Sequence, residues 1–312
     1  MSVLPTARPD ANGMSFKNWA MLILLGAVWG GSFFFARIAV AEIQPLTLVL
    51  FRVALAAAAL HVYLAITGVS LRSALPLAGG FVLLATLNNV IPFSLIFAGQ
   101  TQLGAGLASV LNATTPFWTA LLANMLTEDE RLTWNKIAGI LLGMAGTALM
   151  IGPGVVAGLG GPVWAKLALI AAAVSYAFAL MVAKRLRGVA PAVLATAQLT
   201  ASTIIMVPIV LAVNGTQGLF SASAPVWVAV AALALVSTAF AYILYFRLVT
   251  DAGATNASLV TLIVPASAIL LGAGFLGERL ESFELAGMAL IGLGLVTIDG
   301  RMLRRHNAPS LE

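Results

Sequence analysis

Residues 73–127 read SALPLAGGFVLLATLNNVIPFSLIFAGQTQLGAGLASVLNATTPFWTALLANMLT and contain no charged side chain. A second uncharged stretch runs from residue 188 to residue 246. Each stretch is more than twice as long as the roughly 20 apolar residues that a helix needs to cross a bilayer. Each therefore predicts a hairpin of two membrane-spanning helices.

The composition of the whole chain has the same character. Of the 312 residues, 61% are hydrophobic and only 9% are charged, which is too apolar for one soluble core with an ordinary surface. The chain has no cysteine, which excludes disulfides, thiolate metal sites and cysteine nucleophiles. The net charge of +5 does not indicate a nucleic-acid partner, because the basic residues lie in short loops between apolar segments. We expect the lipid bilayer to be the solvent of this protein.

We predict an all-α integral membrane protein of ten transmembrane helices. The predicted spans lie near residues 18–40, 46–67, 74–98, 104–126, 133–152, 163–184, 191–213, 225–249, 254–276 and 282–300. Twelve Lys and Arg residues then fall on the side of the termini and three on the other side, while Arg52 falls within a span. The positive-inside rule places both termini in the cytoplasm, and we expect the inner (plasma) membrane as the location.

The two halves of the chain repeat each other. A shift of 146 residues pairs Pro45 with Pro191, and a shift of 149 pairs Pro116 with Pro265. Four segments follow: a cytoplasmic tail at 1–17, a first five-helix repeat at 18–152, a second at 153–300, and a basic cytoplasmic tail at 301–312. Because each repeat has an odd number of spans, the second enters the membrane inverted. Inverted repeats that rock about a site near the bilayer midplane are typical of secondary transporters.

Several local motifs carry a resemblance to a known family. They are LNNVIPF at 87–93, GLASVLNATTP at 106–116, ERLT at 130–133 and GILLGMAG at 139–146. With them the whole chain resembles the EamA-type branch of the drug/metabolite transporter superfamily, and within it the bacterial amino-acid exporters of the YddG type. The resemblance implies ten helices around a central cavity, with the fifth and tenth more peripheral. It also implies export of amino acids, aromatic or neutral with broad specificity, or of similar small metabolites.

Polar residues recur at equivalent positions of the two repeats. The shift of 149 pairs Asn88 with Ser237, Asn89 with Thr238, Ser109 with Ser258, and Asn112 with Thr261. Polar groups inside a membrane tend to face the bundle interior. We predict that Asn88, Asn89, Asn112, Ser237, Thr238 and Thr261 bind the amino and carboxylate groups of a substrate. The alternative is interhelical hydrogen bonding, worth about 0.6 to 2 kcal/mol per bond.

Aromatic residues supply a second set of candidates. Trp29, Tyr176 and Tyr242 fall in the first, sixth and eighth predicted spans, where their rings would wall a cavity for apolar side chains. The alternative is ordinary packing or anchoring at the lipid interface.

Prolines within the spans are candidate gates. Pro92, Pro116 and Pro265 each remove a helix hydrogen bond and favour a kink close to the expected site. Static bends that help the bundle to pack are the alternative.

Two ionisable side chains, Arg52 and His61, lie well inside a predicted span. For Arg52 we favour snorkelling to the interface, with attraction of a substrate carboxylate as the alternative. His61 is the candidate for ion coupling, because imidazole exchanges protons near neutral pH. No Asp or Glu falls in the middle of a span, so we expect facilitated diffusion without an obligate coupling ion. Glu42 and Asp251, near span ends, are the residues that would overturn this expectation.

Other function classes receive less support. The chain has no H-E-x-x-H or G-x-x-x-x-G-K-[ST] motif, so we expect neither an enzyme nor an ATP-driven pump, and we predict no cofactor or metal. The alternatives are export of other metabolites or drugs with proton antiport, a nucleotide-sugar or lipid-linked carrier of the same fold, and a non-transport receptor. A phosphate carrier would need basic cavity residues besides Arg52. We expect a monomer, with a dimer as the alternative.

Overall fold

The computed structural model describes residues 14–126, 133–157, 161–186 and 188–299, and these residues form helices joined by short loops without a strand. The predicted C-terminal tail and most of the N-terminal tail lie outside the described residues. The helices of the first half are α1 (Phe16–Ala39), α2 (Pro45–Thr67), α3 (Ala74–Gln100), α4 (Ala105–Asn112), α5 (Thr115–Leu126) and α6 (Trp134–Ala157).

The second half follows the same order. Its helices are α7 (Val163–Arg185), α8 (Pro191–Val213), α9 (Ala224–Ala252), α10 (Ala254–Ala257), α11 (Val260–Leu276) and α12 (Ser282–Asp299). Seven of the described helices are long and apolar enough to cross a membrane, namely α1, α2, α3, α6, α7, α8 and α9. The predictions of an all-helical membrane protein and of long apolar helices are confirmed.

The predicted spans 104–126 and 254–276 are each divided by a two-residue break. In the first half the break follows Asn112, because Pro116 has no N–H for the Asn112 carbonyl and its ring would collide with that carbonyl in a continuous helix. The Thr115 hydroxyl donates to this carbonyl instead, over 2.8 Å. Neither α4 with α5 nor α10 with α11 forms one continuous helix, and the apolar segment of α12 is short. The count of ten membrane spans therefore stays a prediction.

The ends of the helices show how the halves are oriented. Arg37, near the end of α1, donates to the Thr101 carbonyl beyond the end of α3 over 3.2 Å. Glu42, after α1, accepts a hydrogen bond of 2.7 Å from the backbone N–H of Ser223, which precedes α9. A cleft at this end of the bundle is lined by Arg37, Glu42 and Ser223, and also by Gly161, which precedes α7. We call this end the Arg37 face. Because Gly161 lies just before α7, α7 begins at the face where α1 ends.

At the opposite end, Lys17 near the start of α1 forms an ion pair of 2.9 Å with Asp251 near the end of α9. We call this end the Lys17 face. Neither Asp251 nor Glu42 is therefore buried inside the bundle. The hydrogen bonds from Ser223, first from its backbone N–H and then from its hydroxyl, hold the pKa of Glu42 below its ordinary value.

The most extensive helix contact joins α6 and α12, the last helices of the two halves. Glycines allow this approach: a Cβ atom on Gly139 would lie 2.6 Å from the Gly294 carbonyl oxygen, and one on Gly146 would lie 2.6 Å from the Gly287 carbonyl oxygen. The helix backbones meet without intervening side chains, as small residues permit in membranes. These glycines therefore serve packing within the chain.

We predict that Gly287→Ala destabilises the protein by about 1–3 kcal/mol, because the new Cβ would lie 2.7 Å from the Gly146 carbonyl oxygen. Gly292→Ala is the matched control, since it adds the same methyl group to the same helix where no atom lies within 4 Å. Thermal unfolding of both variants in detergent measures the difference. Equal midpoints would contradict the proposed role of close backbone contact.

Candidate functional site

Two π-helical segments lie near the middle of α3 and α9, at Thr86–Val90 and Ala232–Phe240. A π turn holds one extra residue, and such segments are frequent at functional sites. The shift of 149 residues places the first segment within the second, so the two halves share this feature. The segments contain four of the predicted site residues, Asn88, Asn89, Ser237 and Thr238.

Arg52 of α2 points into the bundle between these segments. It is 7% exposed, and its Nε donates to the Thr238 hydroxyl over 3.0 Å. Its guanidinium carbon lies 3.7 Å from the centre of the Phe93 ring, a cation–π contact. Arg52 thus faces the bundle interior and does not snorkel to the interface.

The Arg52 guanidinium has no counter-ion among the described side chains. Its only hydrogen bond to a described residue is the one to Thr238, and no described carboxylate lies within 4.0 Å of it. The hydroxyls of Tyr176 and Tyr242 are near enough to interact with its charge. Because a buried cation is costly unless it is paired, this position favours an anion from outside the chain.

Asn88 links the π segment of α3 to two other helices. Its side-chain Nδ2 donates to Gln198 Oε1 of α8 over 3.1 Å and to the Tyr242 hydroxyl of α9 over 3.2 Å. The Tyr242 ring stacks on Phe246 at 5.9 Å between centroids. Polar groups and aromatic faces thus meet at one place in the bundle.

Asn89 and Ser237 lie deeper. Asn89 is fully buried and donates to the Ser202 hydroxyl of α8 over 2.9 Å, which is the interhelical alternative that the sequence left open. The Ser237 hydroxyl is buried and has no hydrogen-bond partner among the described residues. We define the Arg52 cluster as the side chains of Arg52, Asn88, Phe93, Tyr176, Gln198, Ser237, Thr238 and Tyr242.

Four other candidates lie outside this cluster. Trp29 packs on Tyr245 at 5.4 Å between ring centroids, and the side-chain amide oxygen (Oδ1) of the half-buried Asn112 has no described partner. Thr261 donates to the Ser258 carbonyl and lines an apolar groove between α4, α11 and α12. His61 is exposed, with Nε2 3.0 Å from the Thr200 hydroxyl. His61 lies nine residues from Arg52 along α2, a separation of about 13 Å.

The three candidate prolines occupy different settings. Pro92 follows the π segment of α3. The equivalent position in α9 is Ala241, and α9 nevertheless forms a longer π segment. A proline at this position is therefore not required for a π segment. Pro116 lies just beyond the break between α4 and α5, and Pro265 lies inside α11. A gating role for them stays a prediction.

The sequence predictions omitted two members of the cluster, Phe93 and Gln198, and gave Arg52 a ligand role only as the alternative to snorkelling. The signal was present, because the shift of 146 that pairs Pro45 with Pro191 also pairs Arg52 with Gln198. Both side chains lie seven residues from the start of a span, at equivalent places in α2 and α8. No group of three His, Cys, Asp or Glu side chains in the described part of the chain is arranged to hold a metal ion.

A model of the EamA-like transporter family matches the chain twice, over residues 17–152 and 163–298. The chain is 27% identical to the "uncharacterized inner membrane transporter YedA" of Escherichia coli K12 over 283 residues, covering 89% of each chain. It is 27% identical to a "probable terminal-alkyne amino-acid exporter" of Streptantibioticus cattleyicolor over 213 residues, which is 68% of this chain and 70% of that one.

The fold also matches a solved crystal structure with a TM-score of 0.65 and 21% sequence identity. The match covers 93% of this chain and 99% of the other. At this identity the likeness shows a common fold. The resemblance to the EamA type that the sequence motifs indicated is confirmed by the match to the family model.

The hydrogen bond between Asn89 and Ser202 can be tested by a double-mutant cycle. We expect Asn89→Ala and Ser202→Ala to show a coupling energy of about 0.6–2 kcal/mol, because each removes one partner of a buried interhelical bond. Unfolding of the single and double variants in mixed micelles with increasing SDS gives the four free energies. Strict additivity of the two single changes would show that the bond contributes nothing to stability.

Proposed function

Because the chain belongs to the EamA-like transporter family, we propose that this membrane transporter exports amino acids with neutral or aromatic side chains, with broad specificity. The observation that carries the proposal is the buried Arg52 guanidinium without a described counter-ion. A substrate carboxylate would pair with it. The name of the Streptantibioticus relative, an amino-acid exporter, gives independent support for this substrate class.

The geometry of Arg52 suits a carboxylate. A guanidinium presents its donors in a planar fork that matches the two carboxylate oxygens. Since Nε is bound to Thr238 and the terminal nitrogens have no described acceptor, the terminal edge is available to a ligand. The ring of Phe93 against one face of the guanidinium holds the fork in a fixed plane.

The rest of the Arg52 cluster supplies groups for the other parts of an amino acid. Amide and hydroxyl oxygens of Gln198, Ser237 and Tyr242 are acceptors of the kind that bind an ammonium group. The rings of Phe93, Tyr176 and Tyr242 are apolar surfaces against which a neutral or aromatic side chain would pack. We propose Asn88, Ser237, Thr238, Tyr176 and Tyr242 as substrate contacts, and Asn89 as a structural residue.

We propose alternating access by two inverted five-helix repeats, with ten spans in all. The opposite directions of α1 and α7 and the two family matches support the inverted repeat. Because Arg52, Ser237 and Thr238 are buried, a substrate would reach them only if the halves move apart at one face. Separation at the Arg37 face would break the bonds of Glu42 to Ser223, and separation at the Lys17 face would break the ion pair of Lys17 with Asp251.

We further propose an inner-membrane location with both termini in the cytoplasm. The excess of Lys and Arg on the Lys17 face supports this orientation. The Arg37 face is then the outer face. Transport would follow the gradient of the substrate, since no described carboxylate contacts the Arg52 cluster to bind a coupling ion.

We predict that Arg52→Gln reduces amino-acid flux about 30-fold or more, because the substrate carboxylate loses its charged, buried partner. The measurement is uptake of radiolabelled neutral and aromatic amino acids into liposomes that contain the purified protein. Arg72→Gln is the matched control: it removes the same charge from an exposed position outside the helices that form the cluster.

Arg52→Lys should retain part of the flux, since a lysine keeps the charge but not the planar fork. Flux at the wild-type level in Arg52→Gln would exclude Arg52 as the carboxylate site. No flux of any amino acid in the wild type would favour another metabolite or a receptor function.

We predict that His61→Ala leaves flux nearly unchanged between pH 6 and pH 8 and that imposed proton or sodium gradients do not drive uptake. The reason is that His61 is exposed and lies outside the Arg52 cluster. The same liposomes, with and without each gradient, measure this. Uptake that depends on a proton gradient and is lost in His61→Ala would instead support proton antiport.

A further inference from the structure

A cleft of about 950 Å³ lies at the Arg37 face. Its walls come from the ends of α1, α3 and α11 and the beginnings of α4, α9 and α12. None of its lining residues belongs to the Arg52 cluster. Its volume is within the range of small-molecule sites in proteins.

Glu284, in the first turn of α12, is the unusual member of the lining. The residue is only 3% exposed. Its Oε2 accepts a hydrogen bond of 2.9 Å from the backbone N–H of Glu281, while its Oε1 is buried without a hydrogen-bond partner among the described residues. A buried carboxylate oxygen without a partner is costly and indicates a missing donor.

Two other carboxylates of the cleft, those of Glu278 and Glu42, already accept hydrogen bonds with both oxygens. Glu278 accepts hydrogen bonds from the backbone N–H groups of Ala105 and Gly106, over 2.8 and 3.2 Å, at the start of α4. Glu42 accepts two hydrogen bonds from Ser223. Both carboxylates thus cap the beginning of a helix. Glu284 also caps a helix start through its Oε2, but of the four lining glutamates it alone is buried with an oxygen that has no described partner, whereas Glu281 is exposed.

The nearby cations do not satisfy Glu284 either. Lys166 of α7 is fully buried and donates to the Met150 carbonyl over 3.0 Å; it interacts with Glu284 electrostatically but lies more than 4.0 Å from any described carboxylate. Arg37 is bound to the carbonyls of Gln100 and Thr101. Arg279, exposed at the rim, makes no ion pair with a described residue.

We propose that this cleft is a second binding site, in which Glu284 Oε1 accepts a hydrogen bond from an organic ammonium group. An ammonium group carries three donors and a positive charge, which match an unpartnered carboxylate oxygen. Arg279 at the rim would attract the carboxylate of a zwitterion. The inference rests on the proposed function: the cleft holds the amino acid at the outer face, separately from the Arg52 cluster.

The proposal is tested by splitting the two charges of phenylalanine between two probes. 2-Phenylethylammonium carries only the ammonium group, and 3-phenylpropanoate carries only the carboxylate. Binding of each probe to the purified protein is measured by calorimetry in the wild type, in Glu284→Gln and in Arg52→Gln. Glu281→Gln is the matched control, because it removes an exposed carboxylate from the same cleft and leaves Glu284 in place.

We expect Glu284→Gln to weaken binding of 2-phenylethylammonium about tenfold or more and to leave 3-phenylpropanoate unaffected. Arg52→Gln should show the reverse pattern, and Glu281→Gln should change the affinity for either probe by about twofold or less. Undiminished binding of 2-phenylethylammonium in Glu284→Gln overturns the second site. Undiminished binding of 3-phenylpropanoate in Arg52→Gln counts against the Arg52 site alone, so the two proposals fail separately.

A measurement on the unaltered protein covers the case in which Glu284→Gln does not fold. Dicyclohexylcarbodiimide modifies carboxyl groups in apolar surroundings, and mass spectrometry of peptides locates the modification. We expect 2-phenylethylammonium to protect Glu284 and 3-phenylpropanoate to give no protection. Equal modification of Glu284 with and without 2-phenylethylammonium overturns the proposal.

Discussion

Hydrocarbon offers no hydrogen-bond partner to a peptide group, and this constraint governs the whole chain. Helices satisfy it, and each departure from regular helix is compensated by a nearby side chain. The Thr238 hydroxyl donates to the Leu233 carbonyl over 2.8 Å within the π segment of α9. The Ser175 hydroxyl of α7 donates to the Leu87 carbonyl over 2.7 Å within the π segment of α3. Polar side chains are therefore concentrated where the helices are irregular, and that is where the Arg52 cluster forms.

The two halves share this scaffold but differ in charge. Arg52 of α2 donates to Thr238 in the π segment of α9, and Gln198 of α8, its repeat partner, accepts from Asn88 in the π segment of α3. Equivalent pairs of helices are thus each joined by a side-chain hydrogen bond, with the donor on α2 in one pair and on α3 in the other, and only Arg52 carries a positive charge. A symmetric site would bind a zwitterion in two opposite orientations. If the proposed site binds a zwitterion, the single arginine would remove that ambiguity, because the substrate carboxylate would have a charged partner in only one half.

Much of this architecture was predictable from sequence, since uncharged stretches and repeated prolines depend on local composition. The polar pairs Asn88 with Ser237 and Asn89 with Thr238 were also found, because the repeat preserves polarity at those positions. What sequence could not supply was direction around each helix: a π turn rotates the side chains that follow it, and its position has no clear residue signature. Asn112 and Thr261, on α4 and α11, were grouped with the others because the repeat pairs them, although they lie outside the Arg52 cluster. Arg52 was assigned to the interface because its partners, Phe93 and Thr238, are far away in sequence.

The two proposed sites carry charges of opposite sign, Arg52 and Glu284, at different depths in the bundle. This difference bears on how a substrate would pass through the protein. Arg52 lies seven residues from the start of α2 at the Arg37 face, which is about 10 Å along the helix axis. The cleft lined by Glu284 does not include Arg52, so in this proposal one amino acid would occupy one of the two sites at a time. In this proposal Arg52 would hold the zwitterion by its carboxylate, whereas Glu284, with Arg279 at the rim, would hold it mainly by its ammonium group. A carrier benefits from this arrangement, since a substrate held too tightly at either site would not leave it.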